Sequence, residues 1–483
     1  MHADLMALLP EIVLAVCGMA LLLLGLGTGR RQHAMLGAAA VASLAVTALA
    51  LVLAASATEA SGRFFSGMFC LDHFAIFFKA LFLLAATLAV LLSLHYLKSN
   101  DYRPGEYHAL LLFATTGMMV MASGLNLVTI YVGLELMAMS TYILAGYFRR
   151  EVKSHEAAAK YMILGALSSG ILLYGLSLLY GATGTLDLAA VAHSLHEGKP
   201  ATTAVLGMAL VACGFLFKVA AVPFHVWTPD VYEGAPTPIT AFLSVGPKAA
   251  AFAMFLRVFL GGFWPLGQQW QWLIGGAAAL TVVWGNIAAL TQDNVKRMLA
   301  YSSIAHAGYA LLGLLAQSPA GIRSVLFYML VYTVTNLGAF AFVVLLESRG
   351  YAGETVQDYA GLASKHPVAA FGMLVFMLSL GGIPPTAGFM GKLYLFAAAV
   401  QAGYVWLVVL AVLMSAVSLY YYFRIVLQMY LRDGADAQPA ALVAAPWVER
   451  VIWICAIAVL VIGLAPAPFL SAVRTTVTLL SLP

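Results

Sequence analysis

The chain reads as an all-α polytopic membrane protein of about fourteen transmembrane helices, with two inverted five-helix repeats and discontinuous helices seven and twelve. Three observations carry this. The 483 residues are 63% hydrophobic and only 9% charged, with a mean hydropathy of +0.94, far from the roughly 25% charged content of soluble domains. Apolar runs of about 20 residues, enough to cross roughly 30 Å of hydrocarbon, occur fourteen times. Two of these runs carry prolines in mid-span, Pro223 in the seventh and Pro384 with Pro385 in the twelfth.

In order, the runs fall near 9–28, 34–56, 73–97, 108–123, 126–148, 157–180, 202–222, 238–262, 271–291, 300–316, 322–347, 369–401, 404–431 and 447–471. The first follows His2 and Asp4 rather than a basic leader, without an obvious cleavage site, and is read as a retained helix. Spans one to three make an N-terminal unit, residues 1–105. Spans four to eight (106–265) and nine to thirteen (266–432) make the two repeats, and span fourteen lies in 433–483. With the first tail outside, Arg30, Arg31, Lys98, Arg103, Arg149, Arg150, Lys153, Lys296, Arg297, Arg349, Lys365, Arg432 and Arg450 share one side. The other side has only Arg63, Lys199, Arg323 and Arg474. The positive-inside rule makes the first group cytoplasmic and puts both termini outside. Loops of at most about 20 residues leave no room for a soluble domain. The energy source therefore lies in partners or in an ion gradient.

Several functions are excluded. The net charge of +4 is spread along loops, not gathered as a nucleic-acid stripe. Cys17, Cys70, Cys213 and Cys455 show no C-x-x-C spacing, so no metal, iron–sulfur or disulfide framework is expected. His193-Ser-Leu-His-Glu197 matches no zinc-protease spacing, and Gly25-Leu-Gly-Thr-Gly29 follows a membrane helix rather than a strand.

The chemistry is concentrated in Glu135, Lys218, Lys248 and Lys392, each deep in an apolar span. An unpaired charge at a helix centre costs roughly 2.5–3.5 kcal/mol on insertion scales, so such residues mark functional paths. Glu135 shares a helical face with Tyr131 and Tyr142 and needs a cationic partner, for which Lys218 is the natural candidate. Nearby, the two would hold each other charged; apart, the desolvated lysine would release its proton. A static structural ion pair is the alternative. Pro223 should break span seven by freeing the Val219 carbonyl, and broken helices survive in membranes only where protein or a hydrated cavity surrounds them. Lys218 and His225 would share one face of a continuous helix. His225 is either a relay or a histidine bonded to the broken backbone. Pro247, just before Lys248, frees the Leu243 carbonyl to solvate an ammonium or a water. His306 either extends a proton relay or is a core histidine bonded to a hydroxyl. Pro384 and Pro385 free the carbonyls of Leu380 and Gly381, and paired interrupted helices point to a transport pathway. Lys79, near Asp72, and Lys160, near Glu156, are read as anchors or surface pairs.

The Lys218–Pro238 stretch with its H-V-W-T-P-D-V-Y-E-G-A-P-T-P run, Pro247-Lys248, the Glu135 helix and Gly382-Ile-Pro-Pro-Thr-Ala-Gly-Phe389 resemble the antiporter-like membrane subunits of respiratory complex I. The resemblance spans nearly the whole chain. It implies proton transfer through Glu135, Lys218, Lys248 and Lys392 in a bacterial inner membrane, with both termini periplasmic. It also implies no cofactor or metal in this chain; NADH, flavin, iron–sulfur clusters and quinone would be handled by partner membrane and peripheral subunits. A lysine on the broken twelfth span matches one branch of that family, where another would carry glutamate. A subunit of a multisubunit Na⁺/H⁺ antiporter shares the fold and is the main rival, although one carboxylate among three amines suits sodium poorly. A structural membrane scaffold and an organic-solute transporter are the others.

Overall fold

A computed structural model describes residues 2–28, 32–58, 62–100, 102–198, 201–348, 353–432 and 445–477; Arg30, Arg31, Lys199 and Arg349 of the charge-asymmetry argument lie outside them. The chain opens with α1 (His2–Ala7), α2 (Leu9–Thr28), α3 (His33–Ala57), a short hairpin of β1 (Arg63–Phe64) and β2 (Phe69–Cys70), then α4 (His73–Ser99). In the hairpin Arg63 pairs with Cys70 and Phe64 with Phe69. Then come α5 (Pro104–Ser123), α6 (Leu127–Ala145), α7 (Val152–Thr183) and α8 (Leu188–Glu197). The expected seventh span is α9 (Thr202–Val219), the short α10 (Trp227–Gly234) follows beyond its break, and α11 (Thr237–Arg257) runs on into a π-turn at Val258–Gly262. There follow α12 (Gly267–Leu290), α13 (Val295–Leu315), α14 (Pro319–Ser348), α15 (Leu362–Lys365), the two halves α16 (Pro367–Gly381) and α17 (Ala387–Gln401), α18 (Val405–Leu431), α19 (Pro446–Leu464) and α20 (Ala467–Val477).

Caps set several starts. Asp72 accepts from the Ala75 amide, Asn126 from Val128, Asp187 from Ala190 and Asn294 from Arg297, each satisfying a donor left free by the first turn. Twelve helices among the described residues are long and apolar enough to cross a membrane, and Pro367–Gly381 is a shorter apolar one. The expected fourth span is the 20-residue helix α5. The expected fourteenth is shorter than its apolar run, because Pro466 separates α19 from α20.

The apolar surface is arranged for lipid on the outside. α11 is enclosed all round and α13 and α14 nearly so, while α2, α3, α7, α18 and α19 turn most of their surface outward. Leu23, Val52, Leu167 and Leu413 are among the outward side chains. Close packing rests on small residues. A Cβ on Gly175 of α7 would come within 2.8 Å of the Gly207 carbonyl oxygen of α9, and one on Gly207 within 2.9 Å of the Gly175 carbonyl.

Both expected breaks are present and share one backbone plan. α9 ends at Ala220 in the left-handed region (φ 61°), with the Ala221 amide donating to Leu216 and the Ala220 amide to Phe217. α16 ends at Gly382 (φ 82°), with Ile383 donating to Leu378 and Gly382 to Ser379. This is the Schellman pattern, twice. Three residues on in each case is a cis proline, Pro223 after Val222 and Pro385 after Pro384. Gly382 is required on two counts, since a Cβ there would also lie 3.0 Å from the Lys392 side chain.

Candidate functional site

Glu135, Lys218, Lys248, His306 and Lys392 all sit on helices around the enclosed centre, and all but the half-buried Glu135 are buried. On α6, Glu135 Oε1 accepts a 2.5 Å hydrogen bond from the Ser169 hydroxyl of α7. Lys218, one residue before the end of α9, donates to the Tyr142 hydroxyl at 3.4 Å and lies 5.8 Å from that ring's centroid. The lysine is within Coulombic reach of Glu135, but the two make no direct ion pair. This corrects the expected contact: Tyr142 takes the ammonium, and Ser169 takes the carboxylate.

The shared face expected of Lys218 and His225 is also lost, because the helix ends at Val219 between them. His225 packs edge-on to Trp284, 6.2 Å between ring centroids, and its Nδ1 is buried without a hydrogen-bond partner. The break is instead held by the Trp227 indole donating to the Phe217 carbonyl and by the Val222 amide donating to Thr281.

Lys248 does not turn to the Leu243 carbonyl, and α11 continues through Pro247. Its ammonium donates to both the hydroxyl and the carbonyl of Ser303 on α13, at 2.5 Å each. Ser303 Oγ is a hub: Tyr332 donates to it at 2.8 Å, and it shares a hydrogen bond with the Tyr232 hydroxyl at 3.4 Å. One residue back, Ser302 shares a 2.5 Å hydrogen bond with Tyr422, whose hydroxyl stands 3.2 Å from His306 Nε2. His306 Nδ1 bonds the Tyr328 hydroxyl at 2.6 Å, and the ring is within Coulombic reach of both Lys248 and Lys392.

Lys392 occupies the carbonyls expected to be freed at the second break. Its ammonium donates to Leu380 and Gly381, the carbonyls that Pro384 and Pro385 leave without amide partners, at 2.9 and 3.1 Å, and to Ser415 at 2.7 Å. It also lies 5.1 Å from the Tyr309 ring centroid.

Sequence reading passed over Ser169, Ser303, Ser415, Tyr332 and Tyr422. Only Ser302 and Ser303 carried a local signal, one turn from His306 on the same helix. It also missed two buried ion pairs. Arg257 at the end of α11 pairs with Asp72 at 2.6 Å. Lys79 is wholly buried and lies 2.7 Å from Glu11 of α2, so it is neither a surface anchor nor a partner of Asp72.

Lys160 does pair with Glu156 at 2.7 Å, and it reaches Asp230 of α10 at 2.6 Å as well. Arg297 donates to Asp230 and Glu233, and Lys153 lies 3.1 Å from Glu233. Burial pushes both carboxyls up, but hydrogen bonds from Lys160 and Arg297 to Asp230, and from Arg297 and Lys153 to Glu233, outweigh it. Both end below the ordinary carboxylate range.

Residues 124–418 match the family described as NADH:quinone oxidoreductase/Mrp antiporter, TM. The chain is 48% identical over 479 residues to NADH-quinone oxidoreductase subunit N of Trichlorobacter lovleyi, covering 99% of this chain and 98% of that one. It is 46% identical over 493 residues to NADH-quinone oxidoreductase subunit N 1 of Koribacter versatilis, covering 99% and 96%. A chain of respiratory complex I from Thermus thermophilus superposes with a TM-score of 0.80 at 35% identity, over 97% of this chain and all of that one. Matched over more than half its length, with relatives close to half identical from end to end, the chain belongs to the NADH:quinone oxidoreductase/Mrp antiporter family of membrane subunits.

Proposed function

We propose that this chain is the proton-translocating membrane subunit of a bacterial NADH:quinone oxidoreductase, in which Glu135, Lys218, Lys248 and Lys392 carry the proton. NADH oxidation on flavin and iron–sulfur clusters, and quinone reduction, belong to partner subunits. The reading places the chain in the inner membrane with periplasmic termini, and divides it into three N-terminal spans, two inverted five-helix repeats and a last span.

One observation carries the mechanism. Enclosed by apolar helices is a line of protonatable groups in two hydrogen-bonded parts: Lys248 with Ser303, and, from the preceding residue of α13, Ser302 with Tyr422 and His306, whose ring is within Coulombic reach of Lys248 and Lys392. Lys218 donates to the Tyr142 hydroxyl within Coulombic reach of Glu135. Hydroxyls and imidazole both donate and accept, so each transfer leaves the relay group neutral. Charge moving in a neighbouring subunit draws Glu135 and Lys218 together or apart. Together, the carboxylate holds the proton on the lysine; apart, the proton moves on. Each proton gained by one amine is lost by the one before it. His225 lies off this line against Trp284 and acts at the helix break.

Lys218→Ala in the assembled complex, assayed in inverted vesicles, tests this. Proton pumping should fall by about a hundredfold, the scale of losing a positioned proton-transfer group. Normal pumping with the complex assembled would sink the proposal. Sodium-dependent transport by a preparation lacking flavin and iron–sulfur subunits would point to the antiporter branch.

A further inference from the structure

At the end of the bundle that carries the basic loops, an open and mostly polar cavity of about 490 Å³ reaches inward, with Tyr96, Lys153, Glu233, Lys296, Glu347 and Glu354 among its walls. At its floor the Thr237 hydroxyl of α11 donates to Glu347 Oε1 of α14 at 2.8 Å. Lys296 donates to the same hydroxyl at 3.3 Å and stands 3.7 Å from the carboxylate. Glu347 Oε2 is buried with no hydrogen bond of ordinary geometry among the described residues, and the Tyr96 hydroxyl faces the carboxylate and Thr237. Deeper between α11 and α14, the fully buried Asn336 donates from Nδ2 to Ser244 at 2.7 Å, while its Oδ1 is also without a partner. A turn further along both helices come Lys248 and Tyr332, which meet at Ser303.

These residues form a seam. Thr237, Ser244 and Lys248 fall at i, i+7 and i+11 on one face of α11; Glu347, Asn336 and Tyr332 fall at i, i−11 and i−15 on one face of the antiparallel α14. From Thr237 to Lys248 the helix rises about 16 Å. Buried acceptors without partners are costly, and a polar site of this kind is where ordered water is held. Two such acceptors lie along this seam, one at the cavity and one between the cavity and Lys248.

We propose that Glu347 is a proton-loading carboxylate at the mouth of a hydrated seam between α11 and α14, through which protons reach Lys248 from the side of the basic loops. The inference rests on the proton-translocating reading above. The Glu347 carboxylate takes a proton on Oε2 from a hydronium ion in the cavity: an O–H bond forms on the carboxylate as one in the hydronium breaks, leaving water. The proton leaves along water held at Asn336 Oδ1 and arrives on the lone pair of neutral Lys248, which becomes an ammonium as the carboxylate is restored. Thr237, by donating to Oε1, holds the carboxylate with its other oxygen free for the transfer.

The test compares Glu347→Gln, Glu347→Asp and Lys248→Ala in the assembled complex, reading protons pumped per NADH oxidised in inverted vesicles, with assembly followed on native gels. Expected is a severalfold loss in Glu347→Gln, recovered in Glu347→Asp, which keeps an ionisable carboxylate. Equal deficits in the Gln and Asp variants would mean a packing role and overturn the inference. Normal pumping by Glu347→Gln beside a deficient Lys248→Ala would overturn it while leaving the functional reading intact. Normal pumping by both would overturn the functional reading as well. If Glu347→Gln does not assemble, Asn336→Leu removes the inner acceptor without touching the Lys296 pair; lowered pumping then supports the seam, and normal pumping overturns it.

Discussion

Lys392 is held by the break it follows. Two prolines remove amides, two carbonyls are left over, and the ammonium takes both. Which carbonyls go free was legible, because proline's missing N–H fixes them; that Lys392 takes them was not. Lys79 was not legible, since its partner Glu11 lies 68 positions back on another helix. Removing one member of a buried ion pair strands the other charge, typically at about 3–5 kcal/mol, whereas replacing both with apolar groups is often neutral. Lys79→Ala should therefore lower the thermal stability of the detergent-purified complex sharply, and the double change Glu11→Leu with Lys79→Met should recover most of it. Equal losses in the single and double variants would count against a pair buried from lipid and water alike.

The two broken helices repeat one backbone plan with different side chains. Ten residues beyond the left-handed residue stands Lys392 in the second break and Asp230 in the first. Asp230 anchors α10 by tying it to Lys160 of α7 and Arg297 of α13. Its carboxyl lies below the ordinary range, because hydrogen bonds from the two cations outweigh the opposing effect of burial. A lowered folded-state pKa adds stability above the unfolded value, which is lost as pH falls through the folded value. As pH falls below about 4, the unfolded carboxylate value, and on through the lowered folded value, the native protein should lose protection of α10 amides in hydrogen exchange. Asp230→Asn should already be less protected at pH 7 and should lose less on acidification. An identical pH response in both proteins would show that this carboxyl does not secure α10.

For the whole molecule, the division between an enclosed centre and an apolar rim follows from a solvent that accepts no polar backbone. α18 turns outward, and Leu413 in its middle is 57% exposed. Leu413→Arg should raise the insertion free energy of that segment by about 3 kcal/mol on insertion scales, measured by glycosylation-site mapping of an isolated α18 segment. Unchanged insertion would mean that this position does not lie at bilayer depth.

The sequence alone determined that the chain crosses a membrane many times, where two helices break, and that Lys218, Lys248 and Lys392 lie deep. Each of these is local: apolar length, a missing amide and a charge inside an apolar run are properties of neighbouring residues. Tertiary structure decided what each charge touches. Ser169 rather than Lys218 meets Glu135, Ser303 rather than a freed carbonyl meets Lys248, and His225 faces Trp284 because the break rotates it away from the face of α9. Those partners come from helices far apart in the chain. No periodicity records which face of one helix packs against another, since that choice follows from close packing between surfaces that are all apolar.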